Sequence, residues 1–346
     1  MQTQCTYKKL IILFILFSVS ITISAQYAQL QLADTVKSVY PYNLPILGAK
    51  AFERGFDIPL PVGGMLNFFT ATQDILIPEV AVGFSSGSLP EIPLTDITNI
   101  IEFGEISAQA TSINIRPDAW ILPFLNVYGI FGKTYATTTV ELASPVKFKT
   151  VAELEGISYG FGTTGAGGLG KYFFVLDGNW VWTEMSNFNE PVKTGTFSFR
   201  LGRAFKIRNK PNSNVAFWAG GMRINMGGIT EGNIALNEIL PPGVDSKRDE
   251  IVAGYWNWYD NEATIAQKIA ADKVLTPIVE KLEEVDGSGN ISYQIKKEPK
   301  QKWNMIIGGQ YQLNKHHQFR AEGGIIGNRK SLLLSYNYRF GFSKKI

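Results

Sequence analysis

Cysteine is almost missing. Of 346 residues only Cys5 is one, and it lies in a segment read below as removed on export. A disulfide framework, a thiol nucleophile and a thiolate metal site are thereby excluded from the mature chain. Histidine is nearly as scarce: His316 and His317 are adjacent and there are no others, so a His-rich metal centre lacks ligands. Net charge is small too, Lys+Arg 33 against Asp+Glu 30 leaving +3. With no basic stripe to follow a phosphate backbone, nucleic acid is not an expected partner. Beyond residue 26 no stretch approaches the ~18 consecutive apolar residues of a helical membrane span.

What is abundant points elsewhere. Charged residues make up only 18%, while aromatics reach 12% and glycines number 34. Mean hydropathy is close to zero. That is too low for a helical membrane bundle, but it suits a membrane barrel, whose lipid-facing and lumen-facing residues alternate and cancel.

The N-terminus reads as an address. Lys8 and Lys9 precede LIILFILFSVSITIS, and Ile23-Ser24-Ala25 offers a cleavage site before Gln26. This three-part pattern predicts a secretory signal over residues 1–25. Residues 26–60 carry Pro41, Pro45 and Pro59 and read as a periplasmic leader without a regular element.

From Pro61 to the end, runs of roughly ten residues alternate in polarity and stop at turn chemistry. The last run, SLLLSYNYRFGF (331–342), puts Leu332, Leu334, Tyr336, Tyr338, Phe340 and Phe342 on one parity. Ser331, Ser335, Asn337, Arg339 and Gly341 take the other, with Leu333 out of place. Phe174, Leu176, Trp180 and Trp182 oppose Asp177, Asn179 and Thr183 in the same way. Short links such as NKHH and GNRK permit antiparallel hairpins and leave no room for crossover helices.

The pattern predicts strands near 62–72, 75–85, 105–116, 121–133, 136–148, 156–168, 172–183, 195–206, 214–226, 302–313, 317–326 and 331–342. Residues 62–85 also read as one long bent strand. The fold class is therefore all-β, an antiparallel up-and-down transmembrane barrel of about twelve strands over residues 61–346. An even count returns both termini to the periplasm.

Residues 227–300 interrupt this series. Ile265, Ile269, Val274, Ile278 and Leu282 fall at helical spacing, predicting a helix near 261–284 with Pro277 as a kink or break. A connection this long is a lid, cap or plug in one reading and a decorated surface loop in the other. Counting back from a periplasmic C-terminus places it on the outer side.

Lipid is favoured over a soluble sandwich core by three features. The apolar face is aromatic near strand ends (Trp180, Trp182, Trp218, Trp303, Tyr338, Phe340), as interfacial girdles are. The polar face mixes Arg, Asp, Glu, Asn and Gln with glycine. The final strand of alternating aromatics is similar to the assembly signal of bacterial outer-membrane barrels, although SKKI follows Phe342 here. That likeness implies the barrel-assembly machinery as a partner.

A broader resemblance rests on RPDAWILPFLNVYGIFGKT (116–134), FFVLDGNW (173–180), AEGGIIGNRKSLLLSYNYRF (321–340) and the opening PLPVGGMLNFF (59–69). Together these segments resemble a broad, largely uncharacterised family of Gram-negative outer-membrane β-barrel proteins, with a Bacteroidetes flavour in the YRFGF ending. The resemblance implies the fold and a cell outer-membrane location, with lipid as a partner. It implies no residue roles.

Inward-facing candidates are Asp177, Asn179, Arg200, Arg223, Gln310, Arg320, Glu322, Asn337 and Arg339. One reading makes them a salt-bridge network that fills and stiffens the lumen. The other makes them an anion-preferring constriction, since arginines outnumber carboxylates. No catalytic, cofactor or metal residue is expected. HHQF lacks the His-x-Ser arrangement of lipid A deacylase barrels. GTTGAGGLGK (162–171) misses the phosphate-loop register, and no helix follows it. Glu280, Glu283, Glu284 and Asp286 read as a solvated helix end. The expected function is a narrow pore or transporter for a small molecule. A plugged structural or surface-interaction barrel is the alternative, and a lipid-modifying enzyme the weaker one.

Overall fold

Ten long strands hydrogen-bond edge to edge until the last meets the first. In the computed structural model they are β1 (Val62–Ser86), β3 (Glu102–Leu122), β4 (Leu125–Ser144), β5 (Phe148–Leu169), β6 (Tyr172–Met185), β7 (Val192–Ile207), β8 (Lys210–Gly227), β11 (Trp303–Gln312), β12 (His317–Ile326) and β13 (Arg329–Phe340). Three further strands among the described residues, β2 (Leu89–Asp96), β9 (Ile229–Ala235) and β10 (Asn290–Pro299), lie outside the ring. The structure describes residues 40–86, 89–186, 188, 190–227, 229–235, 245–283 and 289–343. The signal segment 1–25 lies outside them.

The ring closes antiparallel, with Val62 opposite Phe340 and Gln73 opposite Arg329. Ten barrel strands replace the expected twelve because two pairs merge. Residues 62–72 and 75–85 form the single β1, and 121–133 and 136–148 form the single β4. Neither junction carries turn chemistry, and β5 pairs with β4 without interruption from Gly165 to Phe148. The count stays even. Turns, by contrast, sit where the chain supplies them: Gly170 (φ 64°) between β5 and β6, Asn209 (φ 64°) between β7 and β8. Between β11 and β12 the Asn314 side chain accepts the His316 and His317 amides at 2.8 and 2.9 Å.

Side-chain alternation sorts the two faces of the sheet. Outside lies a belt that includes Leu66, Phe68, Ile113, Phe131, Leu176, Ile307, Leu332 and Leu334, with Ile157 64% and Leu201 63% exposed. Rings edge the belt: Tyr159, Trp180 and Trp303 at one end, Tyr172, Phe205 and Tyr338 at the other. An apolar surface of this extent is not one that water tolerates. Hydrocarbon tolerates it, because a closed sheet leaves no backbone edge unpaired. On the outer face of β4 and β5, Lys133 meets Glu155 at 2.9 Å, marking where water resumes.

Both ends of the ring's chain, Val62 and Phe340, lie at one rim, the terminal end. There residues 40–61 dock. They include a short helix, α1 (Gly48–Glu53), which corrects the expectation of a leader without a regular element. Ile46 donates its amide to Ile121 at 2.8 Å, Tyr42 bridges Ser343, and Ile58 and Leu60 are buried.

At the opposite rim, the cap end, β1 outruns β13. Its upper half from Ile75 pairs with β10, which takes over the edge that β13 leaves. β9 extends this small sheet on one side and β2 pairs with β1. Two helices pack on it: α2 (Asp245–Asn261) and α3 (Ile265–Glu283). Sequence periodicity anticipates α3 but not α2, and Pro277 lies inside α3 without ending it. Tyr255, Trp258, Ala271, Val274 and Ile278 join Val80, Phe84, Ile97 and Ile100 in a core of their own. A capping box starts α3, with Thr264 donating its amide to Gln267 Oε1 at 2.9 Å and the Gln267 amide donating to Thr264 Oγ1 at 3.3 Å. Thr264→Ala should therefore cost about 1 kcal/mol locally. Amide exchange should accelerate in α3 and stay unchanged in the barrel strands.

Candidate functional site

The lumen divides into two halves of different chemistry. Toward the terminal end it is polar and packed. Arg200 donates to both oxygens of Glu322, Nε at 2.6 Å and Nη2 at 2.9 Å. Trp218 Nε1 donates to the same carboxylate at 2.7 Å, and Arg320 Nη2 at 3.0 Å. Glu322 is only 3% exposed. A second knot joins Arg339 Nη1 and Asn126 Nδ2 to Asp118 Oδ1, at 2.9 and 2.6 Å. Arg339 Nε also donates to the Leu60 carbonyl at 2.9 Å, tying the docked leader to the barrel wall. A third centres on Asp177, which accepts from Tyr128 at 3.0 Å and Thr164 at 2.5 Å. Above the Tyr128 ring lies the Arg116 guanidinium, 3.3 Å from its centroid.

Four arginines and three carboxylates thus share one confined space. Buried charges survive there because each carboxylate has several donors. The cavity left among them measures about 60 Å³, room for a water or two. Glycines make this packing possible. A Cβ at Gly162 would collide with the Tyr128 ring, and one at Gly308 with the Trp218 indole.

Of the inward-facing candidates, Asp177, Asn179, Arg200, Gln310, Arg320, Glu322, Asn337 and Arg339 face the lumen. Asn179 reaches Tyr128 at 3.4 Å, and Asn337 reaches Gln318 at 3.1 Å. Arg200, Glu322 and Arg339 meet carboxylate or guanidinium partners as above, and Gln310 lines the small cavity. Arg223 is a correction. It sits on the outer face, opposite Trp303 on β11 and Phe197 on β7, with Nε bonded to Asn225 at 3.1 Å. Polarity misassigned it because β8 reverses the usual rule: Trp218, Met222, Ile224 and Met226 point inward. Trp218 consequently belongs to the network and not to a girdle.

Arg116, Asp118, Asn126 and Tyr128 were missed. Pro117 reads as a strand breaker, which ends one strand at 116 and begins the next at 121. In the structure Pro117 is paired opposite Gly64 and the strand continues. The parity Asn114, Arg116, Asp118 carries the signal.

Toward the cap end the lumen opens into a cavity of about 240 Å³. Phe69, Ala71, Ala136, Leu154, Ile224 and Met226 line its walls, and Ile229, Lys297 and Phe188 lie over it. Burial holds the Lys297 ammonium below the usual lysine value. The described residues lining either cavity include none from α2 or α3. Arg329, at the start of β13, also lines the upper cavity and is 1% exposed. Its Nη2 donates to the Met222 carbonyl at 3.0 Å. Its Nε and Nη1 have no hydrogen-bond partner among the described residues.

The histidines are engaged at the terminal end. His316 Nδ1 donates to the Arg339 carbonyl at 2.8 Å, and His317 Nδ1 is joined to the Tyr336 hydroxyl at 2.8 Å.

The sequence matches no family model and no curated protein. Among solved structures it is similar to the β domain of the Bordetella autotransporter BrkA, at TM-score 0.37 and 10% identity over 81% of this chain and all (100%) of that one. The transport unit of the Escherichia coli autotransporter AIDA-I follows at TM-score 0.32 and 8% identity, covering 82% and 90%. The Pseudomonas putida toluene transporter TodX gives TM-score 0.22 and 8% identity, covering 82% and 91%. At these values the likeness passes nothing about function to this chain.

Proposed function

We propose that this chain is an outer-membrane barrel that does not conduct, sealed on its periplasmic side and holding a ligand cavity on its outer side. The terminal end is the periplasmic one in this reading, and the helical cap faces outward. One observation carries it: the lower lumen is filled by interlocked ion pairs beneath a roomier, apolar cavity. No catalytic step is assigned, and the barrel-assembly machinery is proposed to recognise the final aromatic strand.

A planar bilayer tests the seal. The purified, folded protein should pass no steady current. A variant lacking residues 227–300 should be equally silent, because the ion pairs lie below everything that deletion removes. Current through the native protein would overturn the reading. Current after deletion alone would make the capping segment the seal.

Transport is the second reading, favoured by the cavity itself, which is where a solute would wait above a gate. Net solute flux into proteoliposomes without ionic current would move it to first place.

A further inference from the structure

We infer that the cap-end cavity is a binding site for a small organic carboxylate with an apolar body, anchored by Arg329. This rests on the reading of the lumen as a sealed barrel with a ligand cavity.

Arg329 differs from the other lumen arginines. Arg200 and Arg320 share Glu322, and Arg339 meets Asp118. Arg329 is just as buried, yet among the described residues its side chain donates to a backbone carbonyl, and two of its nitrogens face no acceptor. A buried guanidinium without a counter-ion is costly, and guanidinium matches the planar geometry of a carboxylate. Glu190, the acid among the lining residues, is exposed and lies 3.9 Å from Lys193, which also lines the cavity. Lys297 stands over the Phe188 ring, 5.7 Å from its centroid.

The walls specify the rest of the ligand. Phe69, Ile75, Leu154, Met185, Ile224 and Met226 among them reward an apolar body, and threonine hydroxyls such as those of Thr134 and Thr138 lie between them. At about 240 Å³ the space exceeds the ~150 Å³ that suffices for benzene in an engineered apolar cavity. One aromatic ring or a short acyl chain fits. Three cations line the cavity, Lys193, Lys297 and Arg329, against the single carboxylate of Glu190, so the lining favours a negatively charged ligand.

The test uses the full chain in lipid nanodiscs, titrated with 4-fluorobenzoate and with its neutral twin 4-fluorobenzamide, followed by fluorine NMR line broadening. The native protein should bind the acid at least about tenfold more tightly, the equivalent of ~1.4 kcal/mol. Arg329→Gln should bring acid binding down to the level of the amide and leave the amide unchanged. Ala136→Phe, which fills the cavity from the wall of β4, should weaken both probes about tenfold or more. Heat-modifiable gel mobility identifies folded variants, and the native acid-to-amide ratio remains decisive if Arg329→Gln does not fold. Equal affinity of the two probes for the native protein would overturn the anion assignment and leave the cavity standing. Absence of saturable binding by either probe would overturn both.

Discussion

Glu322→Gln should destabilise the barrel by about 3–5 kcal/mol, the scale for breaking a buried ion pair by removing one partner. The side chain keeps its shape and loses its charge. Arg200 and Arg320 are then left facing one another without the carboxylate that offset their charge. Trp218 Nε1 keeps an acceptor, since the amide oxygen remains, so the penalty is chiefly electrostatic. Urea titration of vesicle-embedded protein, scored by heat-modifiable mobility, should move the midpoint well below that of the native form. Adding Arg200→Met to Glu322→Gln should recover part of the loss, because one of the two stranded cations leaves with the anion. If the single variant unfolds at the native midpoint, the ion pairs do not hold the lumen closed. The same measurement on Asn179→Ala, whose bond is 3.4 Å long, should show a change below ~1 kcal/mol.

Leu334→Arg should cost about 2–4 kcal/mol, the depth-dependent penalty for a charge on the lipid face of a membrane barrel. Leu334 is 44% exposed at the middle of β13, opposite Phe68 on β1. Val151→Arg makes the same chemical change on the outer stretch of β5, where Val151 is 54% exposed. It lies beyond the Lys133–Glu155 pair, where charges already face water, and its effect should stay within about 0.5 kcal/mol. The contrast is the point. Exposure alone predicts similar tolerance at the two positions, whereas a lipid belt predicts opposite outcomes. Equal unfolding midpoints for both variants would remove the belt. The comparison needs only refolding into vesicles and the same gel assay.

How much of this was legible beforehand depended on which half of the barrel a strand lines. Where the lumen is polar, alternation reads both faces correctly: in β13, Leu332, Leu334 and Tyr338 point out while Ser335, Asn337 and Arg339 are buried. Where the lumen is an apolar cavity, alternation has nothing to contrast. Ile224 and Met226 face inward from β8, so Arg223 across from them was read on the wrong side. The extra strands were equally hidden. β2 and β10 pair with the far half of β1, and β9 with β10, at the far end of the long strand that residues 62–85 form. The helix α3 declares itself through Val274 and Ile278 at helical spacing. In α2 the aromatic run Tyr255, Trp256, Trp258, Tyr259 masks any comparable stripe. The Arg329 site lay inside GNRK, a stretch whose glycine and asparagine speak for a turn. Only the three-dimensional neighbourhood reveals that its arginine turns inward without a carboxylate.

Because the upper half of β1 pairs with β10, the barrel's seam is also a question of chain order. Joining Gln73 to Arg329 directly would close a loop of about 250 residues. Once Ile75 has met Pro299, the segment still to be closed runs from 299 to 329, about 30 residues. By loop-closure statistics that shortening lowers the entropic cost of the last step by about 2 kcal/mol. The small outer sheet therefore acts as a basting stitch: it holds the first strand near the last before the ring is sewn shut.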